Sequence, residues 1–399
     1  MCGIVGIASH VPVAAELYES LVHLQHRGQD AAGIVTSDTQ FHLKTGLGLV
    51  RDTFTPDNLS ALKGTMGIAH VRYGTSGGYS LSETQPLLLS HPIPIVLAHN
   101  GNLPNDQALR EEQTVKKDVL RSTLDTELLL HLFSEILQQE THANQNDEAF
   151  FQGVVKAVTL LHARLQGTYS IVSIVLSRGL IAFRDPYGIR PLVFGERKNQ
   201  AGTVDYIVAS ETTPFYTLGF EAKGDVERGE VVYISQTGKC YRAVTTQKTF
   251  SPCAFEYIYF ARPDAILSDV NVYHARLHMG QNLAKRWQET FPDSLPDVVI
   301  PAPFTANTAA LSFAHELGVR YTEGLYKNPF IGRTFIMPNQ AIRVRSVRHK
   351  LIPQRTEIMD KKVLIVDDSI VRGTTSREII RMVRECGAKE VNFVSTCPP

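Results

Sequence analysis

Residues Lys361–Ser376 read KKVLIVDDSIVRGTTS, and this stretch decides the fold of the C-terminal half. Val363–Val366 is a short, unbroken apolar run, the mark of a strand buried on both faces as in a parallel sheet. Asp367 and Asp368 follow at once. The small-residue turn Arg372-Gly373-Thr374-Thr375-Ser376 comes next, and then a predicted helix over Arg377–Cys386 with Ile379, Ile380 and Val383 on one face. Such an arrangement is an anion cradle, because backbone N–H groups converge at a helix N-terminus whose dipole favours negative charge. The hydroxyls of Thr374, Thr375 and Ser376 add donors. Two carboxylates repel a phosphate unless they face sugar hydroxyls or a Mg²⁺ that neutralises a polyphosphate. The predicted ligand is a sugar phosphate carrying a second, metal-bound phosphate group. The plain alternative is a strand, turn and helix with two solvated acids.

Upstream, Asp297–Ile300 reads as a strand ending in Pro301-Ala302-Pro303-Phe304-Thr305, and Asn307–Leu317 as a helix closed by Gly318. Strands alternating with helices predict α/β architecture with a parallel sheet. Ligands in such sheets bind at the C-terminal ends of strands, where Thr305 and Asp367-Asp368 fall. The segment Lys327–Lys350 is basic. It reads as a solvated loop or an RNA patch, and the lack of repeated stacking aromatics disfavours nucleic acid.

The chain has 399 residues, enough for two or three domains. With 43% hydrophobic and 20% charged residues it can bury full cores. Lysine plus arginine and aspartate plus glutamate both number 40, so there is no global basic field for nucleic acid. No apolar run approaches bilayer length and no signal-peptide pattern opens the chain, so no membrane association is expected. The cysteines Cys2, Cys240, Cys253, Cys386 and Cys397 are scattered, which predicts reduced thiols and a cytoplasmic setting.

The chain starts Met1-Cys2-Gly3-Ile4-Val5-Gly6-Ile7. Removal of Met1 would give Cys2 both a thiol and a free α-amine, a base of near-neutral pKa that can activate the sulfur. Read alone, Cys2 is more simply the second residue of a buried first strand. Three later stretches weigh against that: LQHRGQD (24–30), HVRYGT (70–75) and HNGN (99–102). Acyl transfer needs oxyanion donors, which Asn100 and the N–H of Gly101 can supply. An amino-acid substrate has a carboxylate for Arg72 and an ammonium for Asp125. Gly74–Ser82 is composed as a lid. His26, His70 and His99 lie in these stretches, but their spacing is not that of a metal site.

The C-terminal stretch resembles the phosphoribosyl-pyrophosphate (PRPP) motif of type I phosphoribosyltransferases. VDDSIVRGTTS is similar to the form found in the glutamine-dependent amidophosphoribosyltransferase family of purine synthesis. Residues 2–236 resemble the class II glutamine amidotransferase domain, through Cys-Gly-Ile-x-Gly, QHRGQD, HVRYGT, AHNGN and LDTE. The resemblance implies an α+β N-terminal-nucleophile hydrolase, an αββα sandwich over 2–236. A linker over 237–254 and an α/β phosphoribosyltransferase domain over 255–399, short at its C-terminus, would follow. It implies Cys2 as nucleophile with Asn100 and Gly101 as oxyanion hole, and Arg72, Asp125, Gly28 and Thr75 as glutamine contacts. PRPP would be held by Asp367, Asp368, Ser369, Arg372, Gly373, Thr374, Thr375 and Ser376, with Lys327 and Arg333 reaching the pyrophosphate. Mg²⁺ would sit at Thr305, Asp367 and Asp368.

The implied reaction makes 5-phosphoribosylamine from PRPP and ammonia, the ammonia being released from glutamine at Cys2 and passed internally, with Tyr257–Asp264 as part of the wall. Some relatives ligate an iron–sulfur cluster through a cysteine at the position of Cys253. Too few further thiols accompany it here, so no cluster is expected. Purine nucleotides are the expected feedback ligands, and a homotetramer or homodimer the expected assembly. The sequence departs from the family pattern at Pro329, Phe330, Phe304 and Ala306, and these changes bear on loop closure and transferase rate. The rival readings are a glutaminase with an impaired second half, and a PRPP sensor.

Overall fold

The structure is a computed structural model, and it describes residues 2–74, 80–112, 120–142, 145–199, 202–328 and 350–398. The chain divides into two compact units, Met1–Cys253 with Ala265–Asp269, and Ala254–Asp264 with Val270–Pro399.

The first unit opens with β1 (Gly3–Ala8), α1 (Ala14–His23), β2 (Ala31–Ser37), β3 (Phe41–Leu47) and β4 (Met66–Arg72). It continues with β5 (Leu87–Leu89), β6 (Ile95–Asn102), α2 (Asp125–Glu140), α3 (Asp147–Arg164), β7 (Thr168–Val175) and β8 (Gly179–Arg184). It closes with β9 (Val193–Lys198), β10 (Val204–Ala209), β11 (Glu221–Asp225), β12 (Glu230–Ser235) and β13 (Cys240–Val244). Seven strands form one sheet in the order β11-β9-β10-β1-β4-β2-β3, and six form a second in the order β13-β12-β8-β7-β6-β5.

The two sheets face each other across Ile4, Ile68, Val96, Val172, Ala182, Val208 and Val232. Leu128, Leu132, Phe133, Val154 and Leu161 of α2 and α3 cover the other face of the second sheet at Leu97, Ile171, Phe183 and Tyr233. Two buried faces per strand explain the nearly continuous apolar runs of β1, β7 and β8. The layers are therefore α, β, β, α. Strand β13 lies within 237–254, the stretch expected to be a linker. It pairs antiparallel with β12, Ile234 opposite Cys240 through Glu230 opposite Val244.

The second unit contains α4 (Val272–Thr290), β14 (Val298–Pro301), α5 (Asn307–Leu317), β15 (Arg320–Tyr321), β16 (Leu325–Lys327) and β17 (Leu351–Pro353). It ends with β18 (Lys362–Asp367), α6 (Thr374–Glu385) and β19 (Glu390–Ser395). Strands β15-β14-β18-β19 make a parallel sheet. Alternate side chains serve opposite faces. Val299, Leu364 and Val366 meet Trp287 of α4 and Ala310, Phe313 and Leu317 of α5. Val298, Ile300, Val363 and Ile365 meet Ile379, Met382 and Val383 of α6. Helix α6 begins at Thr374, three residues before the start expected from periodicity. Threonine and serine are poor mid-helix residues but suit a first turn, where their hydroxyls and N–H groups meet solvent or ligand. Among the described residues no helix is long and apolar enough to cross a membrane.

Candidate active sites

In the first unit, β1 lies between β10 and β4, with Gly3 opposite Val71. Cys2 thus stands just outside a central strand. Its backbone nitrogen donates to Asn100 Oδ1 at 3.0 Å, and its Sγ lies 3.9 Å from the Tyr73 carbonyl oxygen. Asn100 is fully buried, and its Nδ2 has no hydrogen-bond partner among the described residues. A buried amide donor left over on the residue that holds the Cys2 nitrogen can serve an oxyanion.

Gly101 follows at the close of β6. A Cβ there would lie 1.9 Å from the Thr168 carbonyl oxygen and 2.4 Å from His99 Nε2, so no side chain fits. Gly28 is tied down in the same way, since a Cβ would lie 2.5 Å from the Val71 carbonyl carbon and 2.6 Å from the Arg72 nitrogen. The QHRGQD turn therefore rests directly on the end of β4.

Arg72, at that end, is buried, and its Nη2 donates to Glu83 Oε2 at 3.0 Å. Asp125, first in α2, accepts from the Leu103 N–H at 3.0 Å, which holds it beside the Asn100–Gly101 segment. His99 braces the same segment. Its N–H donates to Gln85 Oε1 at 2.8 Å, and its Nδ1 lies 3.1 Å from Thr126 Oγ1. The His70 imidazole is buried in the core. Desolvation first, and the Arg72 charge second, lower it to about 3, so it is neutral at physiological pH. Thr75 lies outside the described residues. Sequence reasoning missed Glu83, an acid directly after the Gly/Ser-rich stretch Gly74–Ser82, and that placement was the available signal. It also missed Arg27 and Glu211, a fully buried ion pair.

In the second unit the Thr305 hydroxyl donates to Asp368 Oδ2, and Ser369 Oγ donates to Asp368 Oδ1 at 2.7 Å. The Asp368 N–H donates to Asp367 Oδ1 at 2.8 Å. Burial first, and the Asp368 charge second, push the Asp367 carboxyl up from the ordinary 3.8 to about 7. The backbone of the pair is pinned from β19, as the Thr396 and Cys397 N–H groups donate to the carbonyls of Asp367 and Asp368 at 3.1 and 3.0 Å.

Gly373 caps α6 with a φ of +68°, a left-handed conformation that glycine takes without steric cost. Thr374, Thr375 and Ser376 form the first helical turn, with Ser376 buried and Arg372 and Thr375 exposed. Phe304, where an acid was expected from the family pattern, stands under the Lys327 ammonium, 5.0 Å from ring centre to Nζ. Arg333, Pro329 and Phe330 lie outside the described residues.

Among the described residues no group of three or more His, Cys, Asp or Glu side chains is placed to hold a metal ion. The Thr305, Asp367 and Asp368 oxygens are nonetheless the donor set of a hard cation. Mg²⁺ typically takes one or two carboxylates and completes its shell with water and substrate phosphate. Two adjacent acids, one of them raised by burial first and by its neighbour's charge second, suit such an ion. Cys253, the candidate cluster ligand, has its Sγ 3.5 Å from Arg190 Nη1.

Residues 78–217 match the glutamine amidotransferase domain family. The chain is 45% identical to an amidophosphoribosyltransferase of Escherichia coli (strain K12), covering 100% of this chain and 79% of that protein. It is 46% identical to one of Saccharomyces cerevisiae, with the same coverage. Among solved structures, it aligns with a glutamine PRPP amidotransferase from B. subtilis complexed with ADP and GMP. The TM-score is 0.84 and the identity 36%, over 100% of this chain and 82% of that one. A structure described as the allosteric regulatory enzyme of purine biosynthesis gives a TM-score of 0.85 at 36% identity, over 100% and 81%. The architecture is thus an N-terminal-nucleophile sandwich followed by a type I phosphoribosyltransferase domain, and the chain belongs to the amidophosphoribosyltransferase family.

Proposed function

We propose that the protein makes 5-phosphoribosylamine from glutamine and PRPP, the first step of purine synthesis, with glutamine opened in the first unit and PRPP in the second. The observation that carries the reading is the pairing of Cys2 with Asn100. Once Met1 is removed, the Cys2 nitrogen is an amine that takes the thiol proton, and the sulfur attacks the glutamine carboxamide carbon. The developing oxyanion is met by Asn100 Nδ2 and the Gly101 N–H. Collapse returns the proton to the leaving nitrogen as ammonia, and water then hydrolyses the thioester to glutamate. Arg72 and Asp125 bind the two charged ends of the substrate, with Gly28 and Thr75 as further contacts. Because Arg72 pairs with Glu83, the substrate carboxylate shares that guanidinium with Glu83.

In the second unit, the 5-phosphate is held by Arg372–Ser376 at the start of α6, and Asp367 and Asp368 face the ribose and the metal. Mg²⁺, bound by Thr305, Asp367 and Asp368, would supply charge neutralisation of the pyrophosphate. Lys327 and Arg333 neutralise the rest of the leaving group. Ammonia replaces pyrophosphate at C1. Purine nucleotides are the proposed feedback ligands, in keeping with the ADP and GMP bound to the B. subtilis relative. A homotetramer or homodimer is the proposed assembly, and the cytoplasm the proposed setting.

The decisive experiment compares glutamine and ammonia as nitrogen donors while pyrophosphate release is followed. Cys2→Ala should abolish glutamine-dependent release and leave ammonia-dependent release. A Cys2→Ala protein that still uses glutamine refutes the nucleophile. A wild-type protein that releases glutamate but never pyrophosphate refutes the transferase.

A further inference from the structure

Glu211 follows β10 and belongs to none of the motifs that mark the glutaminase site. Its side chain is fully buried. It forms an ion pair with Arg27, which is itself fully buried. Arg27 Nε in turn donates to the backbone carbonyl of Cys2 at 3.1 Å. On the other side, His26 Nε2 donates to Glu211 Oε1 at 2.8 Å. Burial alone would raise the Glu211 carboxyl, but the Arg27 charge and then His26 outweigh it and hold the group at about 2. It is therefore an anion at neutral pH. The neighbouring Ser210 grips the next residues of β1: Ile4 donates to Ser210 Oγ at 3.0 Å, and the Ser210 N–H donates to the Ile4 carbonyl at 3.0 Å.

We propose that Glu211 is a positioning residue for the nucleophile: acting through Arg27, it fixes the Cys2 carbonyl and so aims the thiol at Asn100 and Gly101. The proposal rests on reading Cys2 as the nucleophile. The physical need is plain. A terminal residue has one chain neighbour and tends to fray. Its nitrogen is held by Asn100, and its carbonyl is the remaining backbone handle. A guanidinium holds that handle only if its own orientation is set, and a fully buried guanidinium needs a fixed anion. Glu211 supplies the anion, and His26 and the Ser210 contacts hold that corner in register. Without the charge, Arg27 loses the buried carboxylate that orients it, and its hold on the Cys2 carbonyl weakens.

The test uses Glu211→Gln and Glu211→Asp in the full chain with two readouts. The first is kcat and KM for glutamine hydrolysis. The second is NMR of protein labelled with carbonyl-¹³C cysteine and ¹⁵N glycine, in which only Cys2–Gly3 and Cys386–Gly387 give a linked signal. Glu211→Gln should lower kcat about tenfold to a hundredfold, the scale of a misplacement near 1 Å, with KM within about twofold. It should move the Cys2–Gly3 signal and leave Cys386–Gly387 in place. Glu211→Asp keeps the charge on a shorter arm, and should recover part of kcat.

A folded Glu211→Gln with kcat within about twofold of the wild type, or with an unmoved Cys2–Gly3 signal, overturns the proposal. If Glu211→Gln does not fold, Glu211→Asp decides by the same two criteria. If the wild type shows no glutaminase activity, the reading of Cys2 fails, whereas the NMR signal still reports whether Glu211 holds its carbonyl.

Discussion

Asp367→Asn should make the second unit more stable and remove its ability to use PRPP. The Asp367 carboxyl is pushed up to about 7 by burial and by Asp368. An acid raised in the folded state costs stability once the unfolded chain has released the proton. Stability therefore falls as pH rises from about 4 to about 7 and is flat above that. A rise from 3.8 to about 7 is worth about 4 kcal/mol, at about 1.4 kcal/mol per pH unit. Asparagine removes the charge and keeps an oxygen to accept the Asp368 N–H, now bonded at 2.8 Å. The gain should approach that ceiling near pH 8 and vanish near pH 4. The assay is available without labelling, because Trp287 is the single tryptophan of the chain and lies against Leu364 and Val366 of β18. With m about 2 kcal/mol/M, the urea midpoint of its fluorescence change should rise by roughly 1–2 M near pH 8. Added Mg²⁺ and PRPP should raise the wild-type midpoint and leave that of Asp367→Asn in place. An Asp367→Asn midpoint that is unchanged or lower near pH 8, or a gain equally large near pH 4, would refute the reasoning.

Asn100→Ala removes both the acceptor of the Cys2 nitrogen and the proposed oxyanion donor; glutamine-dependent kcat should fall by about 10²–10³, measured against ammonia-dependent turnover in the same preparation. Gly101→Ala should do no better, because its Cβ would sit 1.9 Å from the Thr168 carbonyl oxygen and force β6 away from β7; loss of glutamine-dependent turnover is the check. Phe304→Leu removes the ring beneath Lys327; an exposed cation–π contact is worth about 0.5–1 kcal/mol, so the PRPP KM should rise about two- to fivefold with kcat unchanged.

Contiguous patterns were legible, whereas the buried acids that distant segments supply to Arg27 and Arg72 were not. Val363–Val366 reads as a doubly buried strand because four apolar residues in a row leave no polar face, and all four are buried between α4, α5 and α6. Asp367, Asp368 and the Arg372–Ser376 turn are contiguous, so their convergence is carried by the chain itself. Strand β13 was missed because Cys240–Val244 is an edge strand with two of its five residues exposed and none fully buried, so it shows little apolar signal. Its turn, at Thr237-Gly238, was the available clue. Arg27 and Glu211 lie 184 positions apart. Each alone reads as a solvated charge next to a turn, and nothing nearby announces that both are fully buried. Glu83 directly follows the stretch Gly74–Ser82 and carries no local sign of burial, yet it is buried against Arg72.

That asymmetry has a physical cause in the chemistry of the two halves. A phosphate can be held by backbone N–H groups of one turn, so its cradle can be written in one stretch of sequence. A nucleophile at the end of a strand is fixed by partners from other segments rather than by its own stretch of chain. The fold supplies those partners by placing β1 between β10 and β4, where Val5 faces Ala209 and Ala69. Segments far along the chain then close on residues 2–4: Arg27, Tyr73, Asn100 and Ser210. The thiol is aimed only when both sheets are assembled, since Asn100 belongs to the second sheet and Ser210 follows β10, which pairs with β1 in the first. Glutamine opening is therefore a property of the closed sandwich, and any change that loosens β10 or β6 should lower kcat for glutamine before it unfolds the unit.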